Sequence, residues 1–355
     1  MATLAQYAST FDQAGEQYHI LPLQNGFNAL LTRRGARILG LFSTPESANL
    51  FWTHPALAAP EDFAQFTAAE AWNLGGERCW IAPEIQYNIT DRDDFFGTLG
   101  VDPAMDPGSF TLTATDRSVK FTSEFSLTAH VIASGQKQLA VERVVRPVDD
   151  PLRHLSEYAA LIDGVRFAGY EQTATLTERN QTPIYSEIWN LVQLNAGGLL
   201  LIPCTGTIEA SEYFGSAPEE VHQVKDNHVR LHITGQRQYK VGYKAATLTG
   251  RMGYWNTLSD GQEYLLIRQF FNNPSAFYAE EPPAQPGVRG HSVHIYNDDG
   301  GLGGPNSFGE MECSGQTIGG ASGRSTSTDT FVLWAYVGAS AAIRHIAQVL
   351  LGVRL

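Results

Sequence analysis

Two glutamates, Glu310 and Glu312, stand two residues apart in the run Gly309-Glu310-Met311-Glu312-Cys313. Successive strand residues point to opposite faces, so on a strand both carboxylates share one face and Met311 and Cys313 take the other. The apolar pair fits a buried back. Two neighbouring carboxylates on a partly enclosed face raise one pKa and leave the other lower, a pairing suited to proton transfer. The plainer alternative is a solvated acidic face bound by Arg78 or Arg268. A second segment with chemical content runs Trp72-Asn73-Leu74-Gly75-Gly76-Glu77-Arg78-Cys79-Trp80-Ile81-Ala82-Pro83-Glu84. Paired glycines let the backbone turn sharply or approach a ligand closely. Arg78 offers a planar fork of donors, and Trp80 an apolar ring face. The structural alternative is a glycine turn before a strand, with Arg78 pairing Glu77 or Glu84 and Trp80 in the core.

Histidines supply further acid candidates, because the imidazole titrates in the useful range. His291 and His294 lie in Gly290-His291-Ser292-Val293-His294-Ile295-Tyr296-Asn297, and His54 in Phe51-Trp52-Thr53-His54-Pro55. At a spacing of three, a straight strand would send His291 and His294 to opposite faces, which weakens a joint metal site. Asp91-Arg92-Asp93-Asp94 and Asn297-Asp298-Asp299-Gly300 are oxygen-rich but lack the ligand spacing of a calcium loop, so they read as turns and caps. No Cys or His pair has zinc spacing. The expectation is no metal and no cofactor. The glycine-rich runs Gly300 to Pro305 and Gly319 to Gly323 do not link a strand to a long helix as a phosphate cradle requires, and read as loops. Trp52, Trp72, Trp189, Tyr243, Tyr254 and Trp255 are candidate sugar platforms or core aromatics.

The elements that must position these residues are mostly strands. Short β-branched and aromatic runs, separated by Gly, Pro, Asn and Asp, recur from Asn28 to Tyr296. A hairpin is expected around Arg33-Arg34-Gly35, and Val119 to Phe125 and Leu139 to Val145 alternate as long strands. Short helices are expected at Pro60 to Ala68, Leu152 to Tyr158 and 339–351, the last with Ile343, Ile346, Ala347 and Leu350 at helical spacing. At 355 residues with 43% hydrophobic and 17% charged residues, the chain reads as one large globular domain, 1–355. A formal charge of -13 argues against nucleic acid or an anionic membrane as the main partner. Three cysteines, Cys79, Cys204 and Cys313, make no disulfide framework, and no signal segment is visible at the N-terminus, so a cytoplasmic monomer or homodimer is expected.

The run Gly75-Gly76-Glu77-Arg78-Cys79-Trp80-Ile81-Ala82-Pro83-Glu84 resembles the signature of uncharacterised galactose-mutarotase-like families. Gly309-Glu310-Met311-Glu312-Cys313 is similar to the late Leu-Glu strand on which aldose 1-epimerases keep their general base. The resemblance implies a mainly β fold, a large antiparallel galactose-mutarotase-like supersandwich with a few short helices and a C-terminal helix. It also implies a site for a small sugar or oligosaccharide, with Glu312, Glu310 and His291 as catalytic candidates. Arg78, Glu77, Trp80, Glu84, Trp189 and His294 are the substrate-binding candidates. Mutarotases carry an acid histidine on a mid-chain strand, and the comparable stretch here, Tyr185 to Leu194, contains none. The implied function is a carbohydrate-active, epimerase-like enzyme using carboxylate acid/base chemistry. The alternatives are a non-catalytic carbohydrate-binding protein and a polysaccharide lyase or glycoside hydrolase.

Overall fold

Apolar and polar residues that alternate between turn signals call for strands with one buried face. The computed structural model, which describes residues 2–301 and 307–355, gathers such strands into two large sheets. Nine strands form the first, in the order Tyr18–Pro22, Asn28–Thr32, Arg37–Phe42, Glu77–Ala82, Glu187–Asn195, Phe308–Ser314, His291–Asn297, Tyr239–Lys244 and Ala210–Phe214. Ten form the second: His222–Val224, His228–His232, Leu199–Pro203, Arg251–Thr257, Glu263–Phe270, Thr326–Gly338, Arg166–Glu178, Gly135–Pro147, Ser118–Ala129 and Thr111–Thr115. Neighbours run antiparallel. This is the mainly β sandwich that the sequence implied.

The facing sides of the sheets enclose a continuous apolar cluster that includes Leu31, Ile38, Val192, Val241 and Met311 from one sheet and Phe121, Leu139, Leu176, Leu266 and Leu333 from the other. Met311 and Cys313 belong to it, which leaves Glu310 and Glu312 on the outer face of the nine-stranded sheet.

Helices finish the outer faces. The Pro60–Ala68 helix falls where expected, and the C-terminal helix spans Ser340–Leu351, with Ala339 outside it as the N-cap. Its Ile343, Ile346, Ala347 and Leu350 cover Leu199, Leu201, Leu265, Ile267 and Trp334 on the ten-stranded sheet. Leu152 to Tyr158 is not one helix: Asp150 caps a 3-10 turn at Pro151–His154, and a separate short helix follows at Tyr158–Leu161. An unexpected helix, Leu4–Ala14, opens with a capping box made by Thr3 and Gln6 and closes on Gly15 at φ 67°. With the Pro60–Ala68 helix it covers Leu30, Leu39 and Phe42 near one edge of the nine-stranded sheet. Part of the expected Gly300 to Pro305 loop lies outside the described residues, and the Gly319 to Gly323 run contains a 3-10 turn at Gly320–Ser322. Among the described residues no helix is long and apolar enough to cross a membrane.

Candidate functional site

The Gly75-Gly76 turn is set by close backbone packing. Both residues have positive φ, 90° and 76°. A Cβ on Gly75 would lie 2.6 Å from Trp52 O, and one on Gly76 2.5 Å from Ile38 O. The close approach that these glycines permit is therefore to the protein's own backbone. Arg37 fastens the turn from beneath, donating from Nη1 to Gly75 O at 3.0 Å and from Nη2 to Trp72 O at 2.9 Å. It also pairs with Asp106, which accepts Trp80 Nε1–H at 2.9 Å. Burial pushes the Arg37 pKa down to about 10 against the pull of Asp106.

Beyond the turn, strand alternation separates the residues of the motif. Glu77 and Cys79 point between the sheets, whereas Arg78 and Trp80 point outward. Glu77 is fully buried and accepts from Arg268 at 2.6 Å and Asn190 Nδ2 at 2.8 Å, and also from Tyr170 and Gln172 of the opposite sheet. Its expected place among sugar-binding residues thus differs from its position, because neighbouring strand residues cannot share a face. Arg268 binds Glu77 and not the Glu310 face.

On the outer face the register builds a floor. Trp80 lies beside Trp189, Glu310 beside Gln193 and Tyr296, and Lys240 beside Tyr296 on the next strand. Arg78 donates to Glu310 at 3.2 Å, and Gln193 Nε2 to the same Oε1 at 2.8 Å. The guanidinium stacks 3.9 Å above the Trp80 ring and 5.3 Å from the Trp72 ring. The Trp80 face expected to meet a sugar is thus covered by Arg78. Lys240, which sequence reasoning missed, repeats the pattern. Its Nζ lies 2.8 Å from Glu84 Oε2, 3.1 Å from Glu312 Oε2 and 4.5 Å from the Trp189 ring centre. Trp189 Nε1 donates to Glu312 at 2.7 Å.

Charge is crowded around that lysine. Burial alone would lower its pKa, but Glu312, Glu84 and Glu280 together hold it well above the ordinary lysine value. Burial raises Glu312, with Lys240 pulling back and Glu310 pushing further up. Glu280, which accepts the backbone N–H of Glu84, is raised to about 8 by burial and by the Glu84 charge. Glu187 is raised to about 7 by burial. One ammonium thus serves Glu312, Glu84 and Glu280, and burial favours the neutral form of Glu312 and Glu280.

The pocket above this floor is lined by Trp72, Arg78, Trp80, Glu84, Phe95, Phe96, Leu99, Val101, Trp189, Phe214, Lys240, Tyr296, Asp298, Phe308 and Glu310. Glu310, Arg78, Trp80, Glu84 and Trp189 are brought together there. Glu312 lies beneath, behind Lys240 and Trp189, and does not line it. Neither do His291 and His294. A register shift at Ser292, opposite Tyr243 and Lys244, turns both histidines to one side, against the alternation expected of a straight strand. They meet at Tyr213 OH, His294 Nε2 at 2.9 Å and His291 Nδ1 at 3.2 Å, and His291 Nε2 continues to Ser211 Oγ at 3.0 Å. Burial lowers both, His291 to about 4, so both imidazoles are neutral near pH 7. Among the described residues no group of three or more His, Cys, Asp or Glu side chains is arranged to hold a metal ion.

The space accessible to the centre of a water molecule in the pocket is about 50 Å³, enough for a few waters and short of a hexose. Its cover is the stretch that carries Phe95, Phe96, Leu99 and Val101, which must shift for a sugar to enter.

Among solved structures, the chain resembles a protein assigned as an aldose 1-epimerase from Escherichia coli K12. The TM-score is 0.53 at 12% identity, over 90% of this chain and 99% of that one. A second protein with that assignment, from Klebsiella pneumoniae subsp. pneumoniae MGH 78578, matches at TM-score 0.50 and 10% identity, over 94% of this chain and 83% of the other. At such identity the likeness shows the mutarotase-like sandwich fold. No curated protein matches the sequence. A family model covers residues 62–355, and the chain belongs to that family, the Family of unknown function (DUF6786).

Proposed function

We propose that this member of a family without an assigned activity binds a sugar or sugar derivative on the outer face of its nine-stranded sheet and interconverts the sugar's anomers. The observation that carries the reading is the meeting, in one pocket, of the Glu310 carboxylate with two preorganised cations, Arg78 and Lys240. Glu310 takes the proton of the anomeric hydroxyl while the bond between C1 and the ring oxygen breaks. Lys240, with Glu312 behind it as the proton source, gives a proton to the ring oxygen. The open-chain aldehyde turns about its C1–C2 bond and recloses on the other face by the reverse transfers, so no proton is gained or lost overall. Glu310, rather than Glu312, takes the base role because it alone of the pair lines the pocket. Glu312 becomes the group that positions and recharges Lys240.

Two-dimensional NMR exchange spectra of free aldoses with catalytic amounts of protein test this. Cross-peaks between α and β anomers above the buffer rate are expected for at least one sugar, and Glu310→Gln is expected to lower that rate at least a hundredfold. Exchange unchanged in Glu310→Gln would sink the assignment.

A second reading, binding without turnover, is favoured by the histidines. Among the described residues that line the pocket none is a histidine, and the lining cations are already paired within the protein. It predicts calorimetric sugar binding with no anomeric exchange. Release of reducing ends or unsaturated products from an oligosaccharide would point instead to cleavage.

A further inference from the structure

The lining of the pocket is inverted relative to an ordinary protein surface. Arg78, Lys240, Asp298 and Glu310 are buried at its base, whereas Phe95, Phe96, Leu99, Val101 and Phe214 are half-buried or exposed at its mouth. Phe96 is 44% exposed. Phe95, Phe96 and Phe214 form a triangle of rings with centroids 5.0–5.3 Å apart. The stretch that carries the first two is closed on itself by Gly100 N–H to Asn88 O at 2.8 Å and Thr98 Oγ1 to Asp94 O at 2.8 Å. It is held to the body by Arg92, which donates to Pro283 O at 3.0 Å and pairs with Glu281.

An unsubstituted hexose carries hydroxyls around its whole ring. Those at the base meet charged partners, but a hydroxyl beneath the phenylalanines would lose water and find side chains with no donor or acceptor. An apolar group in the same place gains by leaving water. We infer that the ligand is a sugar derivative bearing an apolar substituent, with its ring at Arg78, Lys240 and Glu310 and the substituent under Phe95, Phe96 and Phe214. This rests on the sugar reading above, and because that reading turns C1 toward Glu310, the substituent sits elsewhere on the ring.

Calorimetric titration of the full chain with glucose and galactose, and with their benzyl ethers at O-3, O-4 and O-6, tests it. At least one ether is expected to bind ten-fold or more tightly than its parent, and Phe96→Ala to cut that advantage at least threefold. The exposure of Phe96 makes this variant a mild one for folding, which circular dichroism checks. Parent sugars that bind as well as every ether, or an advantage untouched by Phe96→Ala, would overturn the inference and leave the sugar reading standing. If neither parents nor ethers bind, both fall.

Discussion

Replacing Glu77 by Gln separates the two faces of the motif strand. Glu77 is fully buried and, among the described residues, the only acid paired with Arg268, itself fully buried, and it also accepts from Asn190, Tyr170 and Gln172. The amide removes the charge and turns one acceptor into a donor facing other donors, while Arg268 keeps its charge without a counter-ion. Breaking a buried pair on one side costs about 3–5 kcal/mol. Unfolding entropy of roughly 2.1 cal/mol/K per residue gives about 0.75 kcal/mol/K for a chain of 355 residues that unfolds as one unit. The expected fall in Tm is therefore about 4–7 °C. Adding Arg268→Met to Glu77→Gln removes both charges and should recover about 2 kcal/mol or more. Thermal and urea melts followed by tryptophan fluorescence measure both, and sugar affinity of the folded variant should match the parent. A Glu77→Gln protein that melts within about 1 °C of the parent, or that folds normally and loses its ligand, would refute this placement.

Lys240→Met should cost about 3 kcal/mol, because Glu84 and Glu312 lose their shared cation, and should abolish anomeric exchange; denaturant melts and NMR check the two parts. The contribution of Glu280 to stability should fall as pH rises. Glu280 is raised from an ordinary value of 4.5 to about 8, so the folded state holds a proton that the unfolded chain releases. Its stabilising share is complete below about pH 4.5 and lost by about pH 8. Glu280→Gln, which cannot ionise, should flatten that slope in urea melts at pH 5, 6, 7 and 8, and an equally steep slope would count against it. His294→Ala should change ligand affinity less than about threefold, since the ring sits behind Tyr213 and outside the pocket lining; a larger loss in calorimetry would return His294 to the site.

Long alternating strands were readable because one face of each is buried: Val119, Phe121 and Leu127 alternate with exposed or half-exposed partners, as do Leu139, Val141 and Val145. The same period of two put Glu310 and Glu312 on one face. It could not say that Glu77 faces the opposite sheet, because that depends on Arg268, Tyr170 and Gln172, far along the chain. Lys240 went unnoticed for a related reason: in Tyr239-Lys240-Val241-Gly242-Tyr243-Lys244 nothing local marks it, and its partners Glu84 and Glu312 lie on remote segments. One extra residue opposite Tyr243 and Lys244 was enough to overturn the expected facing of His291 and His294. The N-terminal helix did carry a local sign, Thr3-x-x-Gln6 with Gly15 at its end, which strand grammar elsewhere obscured.

The strand Phe308–Ser314 enters the nine-stranded sheet at its middle, between Glu187–Asn195 and His291–Asn297. Every other strand of that sheet precedes this one in the chain, yet none joins the Glu77 half to the Tyr239 half. Until it inserts, each half presents an unpaired inner edge, and the pocket floor is divided between them. Completion of the pocket floor is thus tied to nearly the last strand to emerge, a late and long-range pairing of the kind that slows folding. A chain stalled before residue 308 would expose two open edges suited to pairing with other copies, so interruption there favours aggregation over a partly working protein.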